Sequence, residues 1–199
     1  MNLRTTLIAL ALLAVPAAAQ TQLVRGEVDG IQNTNRFQLK CTTVRLTSAT
    51  QNLQALHDLT RQNNLVLEMQ VVDTSGNGTS LEVVSASAVT RQHDMGNLRI
   101  GRSETWEVFA APGSRIWTFF GSGADTRYLP LGSFGTWILG PSAVPFMSGV
   151  ASPGGSLRTQ FTMPNVPGLV GVAFSSQSVV EQGGAFQITN PECKTVRAD

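Results

Sequence analysis

The chain has 199 residues, of which 42% are hydrophobic and 14% are charged. It carries 14 Lys and Arg residues against 13 Asp and Glu residues, a formal net charge of +1. This composition excludes a coiled coil, a collagen-like repeat and a highly charged disordered chain. The balance of charge also argues against a nucleic-acid partner, which requires clustered cations, and against a polybasic membrane anchor.

Residues 1–19 have the pattern of a secretory signal peptide. Arg4 is followed by an apolar run and then by small residues that end at Ala19, the usual order of charged region, apolar core and cleavage site. The apolar run is shorter than the ~20 residues that span a bilayer, so we expect no membrane span in the mature chain. The leader resembles bacterial export signals, which implies a periplasmic or secreted protein.

Two cysteines, Cys41 and Cys193, are present in the sequence. Two thiols in an oxidising compartment often pair, and the chain-entropy model gives so long a closed loop a nominal ~5 kcal/mol. Separation in sequence does not show whether two Cα atoms approach, so two separate buried thiols are an equal alternative. A four-cysteine zinc site is excluded by number.

Residues 20–91 have the pattern of a small β-rich domain with one helix. Period-two alternation predicts strands at 23–28, 37–39 and 44–46, and Gly26 suggests a bulge or bend in the first of them. A capping-box signature, Ser48 with Gln51, then predicts the start of a helix that ends at Asn63-Asn64. Strands at 65–72 and 81–84 flank the turn-forming residues 73–78, a hairpin pattern.

This order of elements, with Gly26-Glu27-Val28 and Phe37-Gln38-Leu39, resembles the oligonucleotide/oligosaccharide-binding (OB) fold, a five-stranded barrel. Barrels that bind single-stranded nucleic acid combine stacking aromatic rings with a positive groove. Between Leu23 and Thr90 there is one aromatic residue, Phe37, and five basic residues face six acidic ones. We therefore expect no nucleic-acid partner.

Residues 92–97 have no periodicity and mark a boundary before a second domain at 97–199. There, short apolar runs are separated by Gly and Pro, which predicts an all-β sandwich or jelly roll. Ala111-Pro112-Gly113, Leu129-Pro130-Leu131-Gly132 and Met163-Pro164-Asn165 resemble a β-rich domain of bacterial secreted proteins of unassigned function. The resemblance implies a fold and a location but transfers no catalytic residue.

Neither a catalytic site nor a metal or cofactor site is predicted. The Gly-x-Ser-x-Gly elbow of hydrolases is absent, and two histidines in different domains, His57 and His93, cannot supply a catalytic zinc shell. We expect His93 and Asp94 to be a solvated pair in the linker. Residues 73–78 match the start of a calcium loop, but Val84 stands where a bidentate glutamate is needed.

Twelve of the thirteen aromatic residues lie in the second half of the chain. Rings that could stack on a ligand, or instead fill a sandwich core, are Trp106, Trp117, Tyr128 and Trp137. Tyr128, in a polar turn, is expected to be the most exposed ring. The sequence favours an exported, non-enzymatic binding, structural or scaffolding protein of the envelope or extracellular space. Its partner would be an exported protein or a surface glycan, and a carbohydrate-binding module is the alternative.

Overall fold

A computed structural model describes residues 20–31 and 36–198 of the chain. Within these ranges the chain forms sixteen β-strands, one α-helix and two 3-10 helices, and the strands build several sheets. The predicted mostly-β class is therefore confirmed. The predicted signal peptide, residues 1–19, lies outside the described residues. In the described ranges, no helix combines the length and the apolar character that crossing a membrane would require.

The first half of the chain builds one six-stranded sheet. Its strands are β1 (Gln22–Gly26), β2 (Val28–Gly30), β3 (Phe37–Leu39), β4 (Arg45–Thr47), β5 (Leu65–Asp73) and β6 (Ser80–Thr90). They lie in the order β1-β5-β6-β4-β3-β2. Neighbouring strands are antiparallel except β4 and β6, which pair in parallel. The two end strands are consecutive in the chain, since Glu27 alone separates β1 from β2.

The core of this sheet follows from the period-two pattern of its strands. Alternate apolar side chains point to one face and are fully or almost fully buried. They include Val24, Leu39, Leu67, Met69, Val71, Leu81 and Val83. A slip of one residue in register would turn this apolar set towards water, so the pattern specifies the pairing.

The predicted helix, α1 (Leu53–Asn63), lies between β4 and β5. Its N-cap differs from the prediction: Asn52 Oδ1 accepts a hydrogen bond from the Ala55 amide at 3.1 Å. The Ser48 hydroxyl instead accepts from the Gln51 amide at 2.9 Å and donates to the Val83 carbonyl at 2.6 Å. Ser48 therefore stabilises the turn that precedes the helix and connects this turn to β6. The N-cap itself is Asn52, four residues later.

The predicted hairpin is confirmed between β5 and β6, which pair along their length. The carboxylate of Asp73 organises the connecting loop: Oδ1 accepts from the amides of Ser75 and Gly76, and Oδ2 accepts from the amide of Gly78. Both carboxylate oxygens of Asp73, which would be ligands in a calcium loop, thus accept hydrogen bonds from loop amides instead. Among the described residues, no group of three or more His, Cys, Asp and Glu side chains could hold a metal ion.

The second half of the chain contributes ten strands to the described structure. They are β7 (His93–Asp94), β8 (Ser103–Phe109), β9 (Arg115–Ser122), β10 (Leu129–Pro130), β11 (Thr136–Trp137), β12 (Val144–Val150), β13 (Ser156–Thr162), β14 (Ala173–Gln182), β15 (Ala185–Ile188) and β16 (Glu192–Thr195). One sheet has the order β12-β9-β14-β15, with β16 also on β14; a second has the order β13-β8-β7, and β10 pairs with β11. The stretch predicted as an irregular linker thus contributes strand β7.

An aromatic core joins the two larger sheets of this half. Trp106 of β8 is completely buried. Its ring centroid lies 5.4 Å from that of Phe120 on β9, 4.4 Å from that of Phe146 on β12 and 5.8 Å from that of Phe161 on β13. Tilted ring pairs at these distances are favourable beyond the area that they bury. Trp106 therefore fills the core and is not a ligand-binding residue, because a ring without exposed surface cannot stack on a ligand.

The two halves share core residues and a covalent bond. Ile138, from the second half, is completely buried in the core of the first sheet, and the Tyr128 ring packs against the same core. Thr136 Oγ1 donates to the Leu23 carbonyl of β1 at 2.8 Å. A disulfide joins Cys41 to Cys193, with the two Cα atoms 5.5 Å apart.

Candidate functional site

Strand β9 carries an aromatic row on the outer face of the five-stranded sheet. Ile116 and Thr118 point inward and are buried, as the alternation of this strand predicts. Trp117 and Phe119 point the other way and are half-buried. Trp117 lies opposite Val179 of β14, so aromatic and aliphatic side chains meet on the outer face.

The segment that contains β10, the 3-10 helix Gly132–Phe134 and β11 packs on this outer face. The rings of Phe119 and Trp137 meet edge to face, with centroids 5.2 Å apart. Gln177 of β14, completely buried, holds the segment: its Oε1 accepts from the Ile138 amide and its Nε2 donates to the Thr136 carbonyl, each at 2.9 Å. The Gln177 side chain thus binds the backbone groups that a neighbouring strand would otherwise bind. Because these groups belong to Thr136 and Ile138, they hold the backbone on both sides of Trp137 in place.

A surface cavity of about 220 Å³ opens beside Trp137. We name it the apolar depression; its lining side chains are Leu131, Phe134, Trp137, Val179, Phe186 and Ile188. Three of these side chains are strongly exposed, Leu131 at 41%, Phe134 at 48% and Phe186 at 49%. These exposed side chains form one apolar surface around the cavity, and exposed apolar patches can mark contact sites.

The depression is built on anchored elements. One side of the depression is formed by Phe186 of the β14–β15 hairpin, in which Phe186 lies opposite Glu181 of the neighbouring strand. The turn of this hairpin uses Gly183 and Gly184, with φ of 58° and 84°, a conformation that favours glycine. Its other side is the segment held by Gln177. The depression therefore needs little rearrangement before it can receive a ligand.

The four aromatic candidates of the sequence separate into different environments. Trp137 lines the depression, and Trp117 borders it through Val179, whereas Trp106 lies in the core. Tyr128 was expected to be the most exposed ring, which is wrong: it is half-buried, and its hydroxyl donates to Gln22 Oε1 at 2.5 Å. Burial raises the pKa of Tyr128 to about 12. Tyr128 therefore joins the two halves.

Sequence reasoning missed five of the six lining residues of the depression, and three of these, Leu131, Phe134 and Phe186, share a local feature. Each is an apolar residue within or beside a glycine-rich turn, at Gly132-Ser133-Phe134-Gly135 or after Gly183-Gly184. Leu131 and Phe134 lie outside the strands and have no strand face on which to be buried, and Phe186 lies at the start of β15, one residue after the turn glycines. That position in or beside a turn was the available signal.

His93 is completely buried, so the expectation of a solvated linker pair is wrong. Its Nε2 lies 2.9 Å from the Ser176 hydroxyl, which itself donates to the Phe119 carbonyl and so accepts from the imidazole. Its Nδ1 lies 3.4 Å from the Ser178 hydroxyl. Burial lowers the pKa of His93 to about 4, and the ring is therefore neutral at pH 7.

The Asn190 side chain holds the backbone at Gln92 and His93 in place. Its side-chain oxygen accepts from the amides of Gln92 and His93, at 2.8 and 3.1 Å, and its Nδ2 donates to the His93 carbonyl at 3.0 Å. The amide side chain thus satisfies backbone groups that a strand neighbour would otherwise bind. Because Ser176, His93 and Asn190 are all completely buried, no substrate can reach this histidine–serine contact.

A charged network lies beside this buried cluster at the junction of the halves. Arg91 pairs with Glu27 and with the buried Glu192, and Lys40 pairs with Glu27 at 2.7 Å. Although burial opposes it, the positive charges of Lys40 and Arg91 hold the pKa of Glu27 below its usual value. The network stabilises the junction, where each carboxylate meets at least one cation.

The accessible surface at the apolar depression is aromatic and aliphatic. It can bury and stack against a ligand, but no ionisable side chain lines it to act as an acid, a base or a nucleophile. Comparison of the chain with protein-family models, with curated proteins and with solved structures found no match.

Proposed function

We propose that this protein is an exported, non-enzymatic binding protein that engages another exported protein through the apolar depression. The observation that carries the proposal is the exposure of Leu131, Phe134 and Phe186 around the anchored ring of Trp137. Keeping apolar area in water costs roughly 25 cal/mol per Å², and a partner that covers it recovers this free energy. Central aromatic anchors carry most of the energy in protein interfaces.

A protein partner suits the depression better than a sugar does. The six lining side chains are all apolar, apart from the indole N–H of Trp137. A sugar buried there would leave hydroxyl groups without hydrogen-bond partners, which is costly. Apolar side chains of a partner protein would lose no hydrogen bonds on entering.

The burial of His93 supports a role without catalysis, because its imidazole has no exposed surface to offer a substrate. Export is supported by the signal-peptide pattern of residues 1–19. The disulfide between Cys41 and Cys193 is compatible with an oxidising compartment such as the bacterial periplasm or the extracellular space.

The proposed architecture is an OB-like barrel followed by a β-sandwich of the kind found in bacterial secreted proteins. For the barrel, the support is the helix between β4 and β5, the parallel pairing of β4 with β6, and the continuity of β1 with β2 at the two ends of the sheet order. For the sandwich, the support is the core that Trp106 forms with rings from both larger sheets.

A carbohydrate ligand on the outer face is the second candidate. Trp117 and Trp137 lie on the same outer face: Trp117 is opposite Val179, and Trp137 packs against Phe119. Indole rings can stack on the apolar face of a sugar ring, and solvent at the rim could satisfy its hydroxyl groups. Loss of glycan binding in the variant Trp137→Ala would favour this candidate over a protein partner.

Site-specific photo-crosslinking tests the protein-partner proposal. A photoreactive phenylalanine analogue replaces Phe186 in the full chain, and in a matched control it replaces Phe109, which is 40% exposed and lies outside the depression. We expect one exported protein to crosslink from position 186 and not from position 109. The purified partner should bind Phe186→Ser at least about tenfold more weakly than wild type, roughly 1.4 kcal/mol.

Two outcomes would contradict the protein-partner proposal. One is equal crosslinking from both positions, which indicates non-specific contact. The other is equal affinity of the purified partner for wild type and Phe186→Ser, measured by calorimetry.

A further inference from the structure

A second cavity, of about 340 Å³, lies at the junction of the two halves and shares no lining residue with the apolar depression. We name it the junction cleft. Its lining includes Arg25, Glu68, Thr90, Gln92 and Phe109. Clefts between structural units are a common location for small-molecule sites, and this volume lies in their usual range.

The charges in the junction cleft are already paired. Arg25 and Glu68 face each other across β1 and β5, and both Nε and Nη2 of Arg25 donate to Glu68 Oε2, at 2.8 and 2.5 Å. The other cation of the cleft, Arg91, pairs with Glu27 and Glu192. Since each cation meets a carboxylate, the cleft does not attract an anionic ligand strongly, and a neutral ligand suits it better.

Two polar atoms of the cleft are left available to a ligand. Arg25 Nη1 donates to Gln92 Oε1 at 3.4 Å, a long hydrogen bond, and Nη1 and Nη2 also donate to the side-chain oxygen of Gln187. Within the described part of the chain, Glu68 Oε1 accepts no hydrogen bond and Gln92 Nε2 donates none. A carboxylate oxygen and an amide N–H2 together form an acceptor and a donor, which is the pair that a hydroxyl group or two adjacent hydroxyl groups can satisfy.

An exposed ring completes the cleft. Phe109, at the end of β8, is 40% exposed, and its amide donates to the Gln92 carbonyl at 2.8 Å. This bond holds the backbones of the two residues together, and both residues line the cleft. A pyranose ring has an apolar C–H face that packs on an aromatic ring and hydroxyl groups at its edge that hydrogen-bond to polar side chains.

We propose that the junction cleft binds one ring of a neutral oligosaccharide, which packs on Phe109 and directs its hydroxyl groups to Glu68 and Gln92. The site is separate from the apolar depression, so it would add a glycan ligand to a protein that also binds a protein partner.

Titration of the full mature chain with defined oligosaccharides tests this site. The probes are neutral pentamers of glucose, mannose, xylose and N-acetylglucosamine, and an acidic pentamer of galacturonate, at up to millimolar concentrations. We expect at least one neutral pentamer to bind by calorimetry with a micromolar to millimolar Kd. It should also shift the side-chain amide signals of Gln92 in NMR spectra.

Variants of exposed apolar residues locate the site. Phe109→Ala should weaken binding about fivefold or more, whereas Phe109→Tyr keeps the ring and should retain affinity. The control is Val166→Ala, at a position that is 49% exposed and lines neither cavity, and it should bind the pentamer as wild type does. Thermal unfolding of each variant shows that the fold is retained.

Three results would overturn the junction-cleft proposal: no neutral pentamer binds, the acidic pentamer alone binds, or Phe109→Ala binds as wild type does. Loss of pentamer binding in Trp137→Ala with none in Phe109→Ala would place the glycan on the outer face instead. None of these results depends on the protein partner, whose test is the crosslink at position 186.

Discussion

At the scale of single residues, buried neutral polar side chains stabilise the fold through hydrogen bonds to neighbouring strands. His93, Gln177 and Asn190 are completely buried, and each satisfies backbone or hydroxyl groups of neighbouring strands. Buried polar groups of this kind stabilise a fold when their hydrogen bonds are complete, and are costly when a partner is removed. Their positions therefore specify how the strands of the second half meet.

The lowered pKa of His93 predicts a loss of stability in acid. Its folded pKa of about 4 lies below the ordinary value of 6.5. Above pH 6.5 the folded and unfolded states are both neutral at this ring. As the pH falls from 6.5 to 4, the unfolded state binds a proton that the folded state does not, so the free energy of unfolding should fall by about 3 kcal/mol.

Urea unfolding at a series of pH values measures this effect. His93→Gln, which has no titrating ring, should lower stability at pH 7 but show a shallower decline between pH 6.5 and 4. His57→Gln is the matched histidine control, since His57 lies in α1 away from the cluster. The prediction fails if His93→Gln and wild type lose stability with the same slope.

At the scale of elements, the segment from β10 to β11 depends on one side chain of β14. Gln177 binds the Ile138 amide and the carbonyls of Thr136 and Thr189. Without these bonds, three backbone groups would be buried and unpaired, at about 1–3 kcal/mol for each group left unsatisfied. The same bonds place Trp137 at the apolar depression, so stability and binding surface depend on one interaction.

Gln177→Met, a change of similar volume, should therefore lower the free energy of unfolding by about 3 kcal/mol or more. It should also speed hydrogen exchange at the Ile138 amide, because that amide loses its acceptor. The matched control is Gln182→Met, at an exposed position of the same strand, which should change stability by less than about 0.5 kcal/mol. Unchanged exchange at Ile138 in Gln177→Met would contradict this account.

At the scale of the whole molecule, the two halves are joined by packing and by a disulfide. Ile138 and Tyr128 complete the core of the first sheet, and Cys41–Cys193 closes a loop with a sequence separation of 152 residues. A crosslink across so long a loop removes much of the entropy of the unfolded chain. Most of its stabilising effect therefore concerns the unfolded state.

Replacing both cysteines, Cys41→Ser with Cys193→Ser, should lower the free energy of unfolding by about 2–5 kcal/mol. Reduction of the wild-type protein should cause a similar loss and should leave the double variant unchanged. Chemical denaturation with and without a reducing agent measures both. If reduction leaves the stability of the wild-type protein unchanged, the disulfide does not constrain the unfolded chain as proposed.

Local pattern predicted most elements of the first half but not every boundary. Strands β3, β4 and β5, helix α1 and the hairpin at Asp73 follow from period and turn chemistry. The N-cap is Asn52 and not the predicted Ser48, whose hydroxyl bonds to Val83, a residue distant in sequence. A contact of that kind has no local signature.

Local sequence pattern is enough to predict the mostly-β class, the helix between β4 and β5, and the alternation that turns Trp117 and Phe119 away from Ile116. These properties depend on neighbours a few residues apart. The burial of His93, the contact of Tyr128 with the first half, and the meeting of residues far apart in sequence at one apolar depression depend on tertiary packing. The physical reason is that periodicity specifies which side chains share a face, whereas the packing of distant segments decides which face is covered.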